Sequence, residues 1–371
     1  MFYLTGIIVT FFLAFILVGK KGKTEADRIL ALWLIATGFH QGFFYLFITG
    51  QSYSVPQILG LEMPFPFLHG PFLYLYTASL TNQITRGRVR LLHFLPFLLC
   101  YAWIMPFLFA PAEHKVFVYQ NKGLGYENLK GIMMVGVILS GIIYVGLSLR
   151  LLNRHKRNLR DQFSYAEKIN LGWLRYLIFG IGIIWLAVIS RQDTAVFSTV
   201  VLFVILLGYF GIKQVGIFTQ ATSSPPEPDS TLETTVADEL QKPKYQKSSL
   251  DPSTAENIHQ ALNRAMGERK LFTNPELSLA DLAKELHVHP NHLSQVINTY
   301  EQKSFYDYIN ALRIEEFKRV AGQPESQKFT LLGLAHNCGF NSKTSFNRNF
   351  KNATGLSPSE YLKQAHILLE G

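Results

Sequence analysis

The chain has 371 residues, of which 48% are hydrophobic and only 16% charged, and its net charge is +9. An ordinary globular chain is about a quarter charged, so this composition excludes a wholly soluble protein, and the two cysteines, Cys100 and Cys338, exclude a disulfide framework. Residues 1–219 hold 19 Lys and Arg against 8 Asp and Glu, whereas residues 220–371 hold 16 against 18, so the high overall basicity is no argument for a nucleic-acid partner.

The first half is a series of apolar runs near 2–18, 29–49, 64–80, 91–110, 129–151, 171–190 and 194–213. A helix needs roughly 20 apolar residues to cross about 30 Å of hydrocarbon, so these predict seven transmembrane helices. The third opens with Pro64, Pro66 and Pro71 and reads as kinked or partly re-entrant, which leaves six spans as the alternative. Loop charge sets the orientation. Lys20, Lys21, Lys23 and Arg28 follow the first run, Arg86, Arg88 and Arg90 the third, and Arg154, Lys156, Arg157, Arg160 and Lys168 the fifth. The intervening loops carry none, Lys115 with Lys122, and Arg191. Basic loops face the cytoplasm, so the N-terminus is expected outside and the C-terminus inside. The first run has no basic region before it and no clean cleavage site after it, so it reads as an anchor rather than a signal peptide.

Within the runs, aromatic clusters such as Phe43, Phe44, Tyr45 and Phe47 read first as interface anchors. His40, His69 and His93 are the more suggestive residues, because ionisable groups are costly in lipid. No proton-relay carboxylate accompanies them, which weakens a transporter reading. Residues 219–250 then run through Pro225, Pro226, Pro228 and Pro243 in a polar stretch without an apolar face, which predicts a flexible tether.

A helix is expected to open the tail near Pro252, with Ile258, Leu262 and Met266 on one face. Ser278 and Asp281 match an acidic variant of the capping box. Leu279, Leu282, Ala283 and Leu286 form a helical stripe, the chain breaks at Val288 and His289, and Pro290 opens a second short helix with Leu293, Val296 and Ile297 inside. That is a helix-turn-helix pattern, whose second helix, about 290–300, would enter the major groove. About fifty residues later the pattern returns: Leu331, Leu334 and Ala335, then Gly339, then a helix capped by Asn341 or Ser342 that buries Phe346 and Phe350. Between the units, Phe305 to about Val320 predicts one amphipathic helix about 24 Å long, able to hold two recognition helices at a separation comparable to the roughly 34 Å of a DNA turn.

These residues resemble the AraC/XylS-type family of bacterial transcriptional regulators. The resemblance rests on Gly339, Phe340, Ser345, Phe346, Arg348, Phe350, Lys351, Gly355, Pro358 and Tyr361 in the second unit. In the first it rests on Leu282, Ala283, Leu293, Ser294, Phe305, Tyr308, Arg313 and Ile314. It covers roughly residues 255–365 and departs at Leu362, where the family has Arg. It implies a seven-helix DNA-binding domain that acts on promoters, and nothing about the membrane half.

The expected fold is therefore all-α: a seven-helix transmembrane bundle followed by an all-helical double helix-turn-helix domain. Its parts are a sensor-type membrane domain at 1–215, a flexible cytoplasmic linker at 216–250 and the DNA-binding domain at 251–371. Double-stranded DNA and the lipid bilayer of the bacterial inner membrane are the expected partners. A homodimer, a small-molecule or membrane-derived signal and RNA polymerase are further candidates. The expected DNA contacts are His289, Asn291, His292, Gln295 and Asn298 in the first recognition helix. In the second they are Asn341, Ser342, Lys343, Thr344, Asn347, Arg348 and Lys351, where residues 341–352 hold three basic and no acidic side chains. His287, His289 and His292 lack a fourth ligand for structural zinc, and no phosphate-binding loop, kinase site or HExxH motif occurs. No metal, cofactor or enzymatic activity is expected. The rival reading is a membrane anchor or transport-like module tethered to DNA.

Overall fold

The computed structural model describes residues 1–83, 87–165, 171–190, 192–213 and 250–370. The tether expected at 216–250, apart from Leu250, and the loop residues Arg86, Lys168 and Arg191 lie outside them. Among the described residues the chain is all-helical, with a single isolated bridge between Phe163 and Ser278. It divides into two compact units, Met1–Asn153 with Leu171–Ser230, and Arg154–Asn170 with Thr231–Gly371.

The first unit contains α1 (Phe2–Gly19), α2 (Glu25–Ile48), α3 (Pro66–Leu80), α4 (Leu95–Leu108), α5 (Ala112–Gln120), most of α6 (Glu127–Gln162), α7 (Gly172–Ile189) and α8 (Asp193–Lys213). Among the described residues, five helical stretches are long and apolar enough to cross a membrane: Phe2–Gly19, Glu25–Ile48, Val89–Leu108, Glu127–Gln162 and Gly172–Ile189. The third expected span is α3, only 15 residues long with Pro71 inside it. At 1.5 Å per residue it reaches about 22 Å, short of the hydrocarbon thickness. The seventh falls on α8, apolar over Asp193–Leu207.

Side-chain placement in this unit follows the composition. Leu17, Leu30, Leu73, Leu174 and Ile178 pack inside, yet Phe15 is 74% exposed, Ile142 64% and Leu186 67%. The outward faces are thus as apolar as the interior, which for a helix bundle is the pattern of one solvated by lipid. On the side expected to be cytoplasmic, α2 starts with a full capping box. The Thr24 hydroxyl accepts from the Asp27 amide, and Asp27, itself paired to Lys20 at 2.9 Å, accepts from the Thr24 amide.

The second unit is built from α9 (Pro252–Gly267), α10 (Leu279–Glu285), α11 (Pro290–Val296), α12 (Phe305–Ala321), α13 (Leu331–Asn337), α14 (Lys343–Thr354) and α15 (Pro358–Glu370). Among the described residues from Leu250 onward these are seven α-helices, the number the family resemblance implies. α12 serves two cores: Phe305, Tyr308 and Ile309 from its first half join Leu262, Leu282, Leu293 and Ile297, while Ile314 and Phe317 from its second join Leu334, Phe340, Phe346 and Phe350. One amphipathic helix therefore carries both helix-turn-helix units.

An ionic cluster ties α12 to the segment after α9. Glu316 accepts from Arg319 at 2.7 Å and from Lys270 at 2.8 Å, and these bonds, Arg319 foremost, hold its carboxyl down at about 2. A depressed carboxylate contributes stability above its unfolded value of about 4.3 and loses it as the pH falls through the folded one. Glu316→Gln is therefore expected to flatten the loss of α12 amide protection between about pH 4.5 and 2. Hydrogen exchange corrected for intrinsic rates measures it, and an unaltered acid limb would assign that loss to other groups.

Candidate nucleic-acid interface

The two turns are built alike. In the first unit Ser278 caps α10, with the Asp281 amide donating to its hydroxyl at 3.1 Å and the Asp281 carboxylate accepting from the Ser278 amide at 3.2 Å. The helix closes when the Val288 amide donates to Ala283 O at 2.9 Å, after His287 has taken φ +54°. In the second unit Thr330 caps α13, the Phe340 amide donates to Ala335 O at 3.0 Å, and Gly339 takes φ +97°. Each turn needs one left-handed residue, and the second pair of helices repeats the first. Ala283 and Ala335, both fully buried, are small enough for the short helices to cross closely.

Past each turn comes the candidate recognition helix. In α14, Phe346 and Phe350 are buried as expected, while Lys343, Thr344, Asn347, Arg348 and Lys351 are exposed. The helix thus presents a face with three cations, and Glu360, the next acidic residue, caps Ser357 at the start of α15. Ser342 is the N-cap, its hydroxyl accepting from the Ser345 amide at 3.1 Å, and Asn341 reaches Pro275 O at 3.5 Å. Arg348 does not hang free: its Nη2 donates to the Tyr306 hydroxyl at 2.8 Å, which also accepts from Asn349 at 2.8 Å. A buried tyrosine of α12 therefore fixes the azimuth of the recognition helix.

In α11, Leu293 and Val296 are buried, as is Ile297 directly after it, Asn291 is exposed, and His292 and Gln295 are half-buried. His289 is exposed and caps the helix, its Nδ1 accepting from the Asn291 amide at 3.2 Å. The expected helix over 290–300 is not uniform: Ile297–Glu301 is wound as a π turn. Asn298 lies in that wider turn, and its amide donates back to Ser294 O at 2.8 Å. The rings of His289 and His292 stand 5.8 Å apart, and no cluster of metal-binding groups occurs among the described residues.

Arg313, 2% exposed, sits where the two cores meet. Its Nε donates to Phe272 O at 2.7 Å and Nη2 to Asn274 O at 2.7 Å. Nη1 reaches Asn310 Oδ1 at 3.3 Å, and the guanidinium lies over the Phe340 ring. Burial pulls its pKa down to about 10, so it stays charged and its donors must be satisfied within the protein. The remaining acceptors come from far away in sequence: Nη1 donates to Ser164 O at 3.3 Å and Nη2 to Ser164 Oγ at 3.1 Å. Ser164 is further held by Leu277 O, Asn310 Nδ2 donates to Ser164 O, and Arg160 pairs with Asp307. Residues 154–165, read from sequence only as part of a basic loop, are thus integral to this unit. No periodicity could reveal that, because the partners are more than a hundred residues apart.

Residues 282–364 match the family model described as a helix-turn-helix domain. Over 93 residues the chain is 31% identical to the uncharacterized HTH-type transcriptional regulator YijO of Escherichia coli (strain K12), a match that covers 25% of this chain and 32% of that protein. The chain thus spans about a third of the length of that curated relative. No solved structure matches. The paired turns, the shared linker helix and the family match agree that the chain carries, at its C-terminus, a helix-turn-helix domain of the AraC type.

Proposed function

We propose that the protein is a membrane-bound, one-component transcriptional regulator: the first unit sits in the inner membrane and takes a signal, and the C-terminal domain binds promoter DNA on the cytoplasmic side. The observation that carries this reading is the exposed face of α14, on which every charged residue is basic, in the same chain as a helix bundle whose outward surface is apolar. Phosphate contacts from Lys351 and Arg348 would set the register, and Lys343 and Asn347 would read base edges. With the three cations of α14 included, residues 251–371 hold 13 Lys and Arg against 13 Asp and Glu, so a lone copy has modest non-specific affinity, and a second copy on a repeated site would supply the rest.

The reading also rests on the chain entering the second unit twice, through residues 154–165 and again from Leu250. A domain held in this way is a poor candidate for release, so the promoter comes to the membrane. Footprinting with full-length protein in lipid nanodiscs should reveal a bounded duplex site, and uniform protection at all concentrations would sink the regulator reading. A reporter fused after residue 215 should be active only in the cytoplasm; a periplasmic signal would overturn both orientation and function. Transcript profiles identical with and without the first unit would reduce that unit to an anchor.

A further inference from the structure

Within the first unit lies a cavity of about 810 Å³, the size of a small-molecule site. Its position along the helices gives it two ends. At one end the walls are Leu30, Leu34, Leu177, Ile181 and Val204, all buried. At the other are Lys122, Lys130 and Asp193, all exposed and set in or beside the loops between helices. The apolar end is closed, and the loop end opens to solvent.

Partway down the wall stand three linked polar groups. The Trp33 indole N–H can only donate, and it donates to His69 Nδ1 at 3.2 Å. With neutral rings, the His69 proton is then on Nε2, where it is donated to His40 Nδ1 at 3.1 Å. The His40 proton is in turn on Nε2, a donor at the end of a fixed relay. The next residue, Gln41, also lines the cavity and is 3% exposed. The Gln41 Nε2 group donates to Thr10 Oγ1, whose own proton goes to Gly6 O. That leaves Gln41 Oε1 as a buried acceptor without a partner, a state that costs free energy until a donor arrives.

We propose that this cavity binds an uncharged N-acyl amide, its acyl chain in the closed apolar end, its carbonyl accepting from His40 Nε2 and its N–H donating to Gln41 Oε1. A neighbouring donor and acceptor match the two edges of one secondary amide, and the neutral relay offers a carboxylate no counter-charge. Calling such a ligand the signal rests on the regulator reading above; its binding does not, and the assay contains no DNA. Failure of the assay removes the site, whereas failure of the footprint removes the regulator.

The test is equilibrium binding of radiolabelled N-methyldodecanamide to the full-length protein in nanodiscs, with empty nanodiscs as reference. One saturable site is expected, with N,N-dimethyldodecanamide and methyl dodecanoate, which lack the N–H, competing about tenfold more weakly. Gln41→Leu should erase that preference. Uptake no greater than by empty nanodiscs, equal competition by all three compounds, or a preference that survives in Gln41→Leu would each overturn the proposal. The three-compound comparison uses unaltered protein, so it decides the matter even if the variant does not fold.

Discussion

Gly339→Ala is expected to unfold the second helix-turn-helix. At φ +97° the backbone is in a region that side chains avoid, a cost of about 1–3 kcal/mol by itself. An added Cβ would also lie 2.7 Å from Phe272 O, 2.8 Å from Arg313 Nε and 2.9 Å from Thr273 O. Two of these cannot move apart freely, because Arg313 Nε and Phe272 O are hydrogen-bonded to each other. The total should exceed about 3 kcal/mol, a large share of the roughly 5–15 kcal/mol that holds a domain together. Arg313→Leu should cost about as much by the opposite route, stranding Phe272 O without a donor and taking one of two donors each from Asn274 O and Ser164 O. Both changes open the same junction, so their combination should fall short of additivity. Gly355→Ala is the control: it too has positive φ, +78°, but nothing lies within 4 Å of an added Cβ, so the loss should stay near 1 kcal/mol. Amide exchange over α12 to α14 reads all three, and native protection in Gly339→Ala would show that the turn tolerates a side chain.

That junction marks the boundary of what could be read from the chain. The helices of the second unit were legible because their apolar residues recur at helical spacing, and Ser278 with Asp281 announced a cap that the structure contains. Phe346 and Phe350 could be assigned to the core for the same reason. Arg313 could not: a charged residue between Leu312 and Ile314 has no periodic signature of burial, and three of its five acceptors are backbone carbonyls that carry no sequence identity. The π turn at Ile297–Glu301 is equally silent, since the residues of a widened turn differ in no systematic way from those of a regular one. In the first unit, apolar runs gave the helices but not which faces meet. His40 and His69 were notable only as ionisable residues in apolar runs, and their pairing depends on how α2 and α3 pack. Phe44, read as an interface anchor, instead stacks on Phe197 at 3.8 Å between ring centres. Helix existence is local information, and helix facing is not.

The second large effect concerns specificity. Lys343 and Asn347 lie one helical turn apart on the exposed face of α14, away from its buried side. Replacing both by Ala should leave the fold intact, because Ser342 still caps the helix and Phe346 and Phe350 still anchor it. If these side chains read base edges, each lost contact costs about 1–3 kcal/mol of discrimination. The pair should then lower affinity for the footprinted site by roughly a hundredfold. Non-specific binding should change little, because one cation is removed and the salt slope falls by only about 0.9. Lys351→Ala should behave differently, lowering affinity for specific and random duplexes by the same modest factor, since a phosphate contact carries no sequence information. Salt-titrated competition between the footprinted site and random duplex, using full-length protein in nanodiscs, separates the two patterns. Should the double variant keep its preference for the site, sequence reading must be moved to α11, where Asn291 and Gln295 are the uncharged side chains placed to do it. The basic face of α14 would then serve only to hold the phosphate backbone.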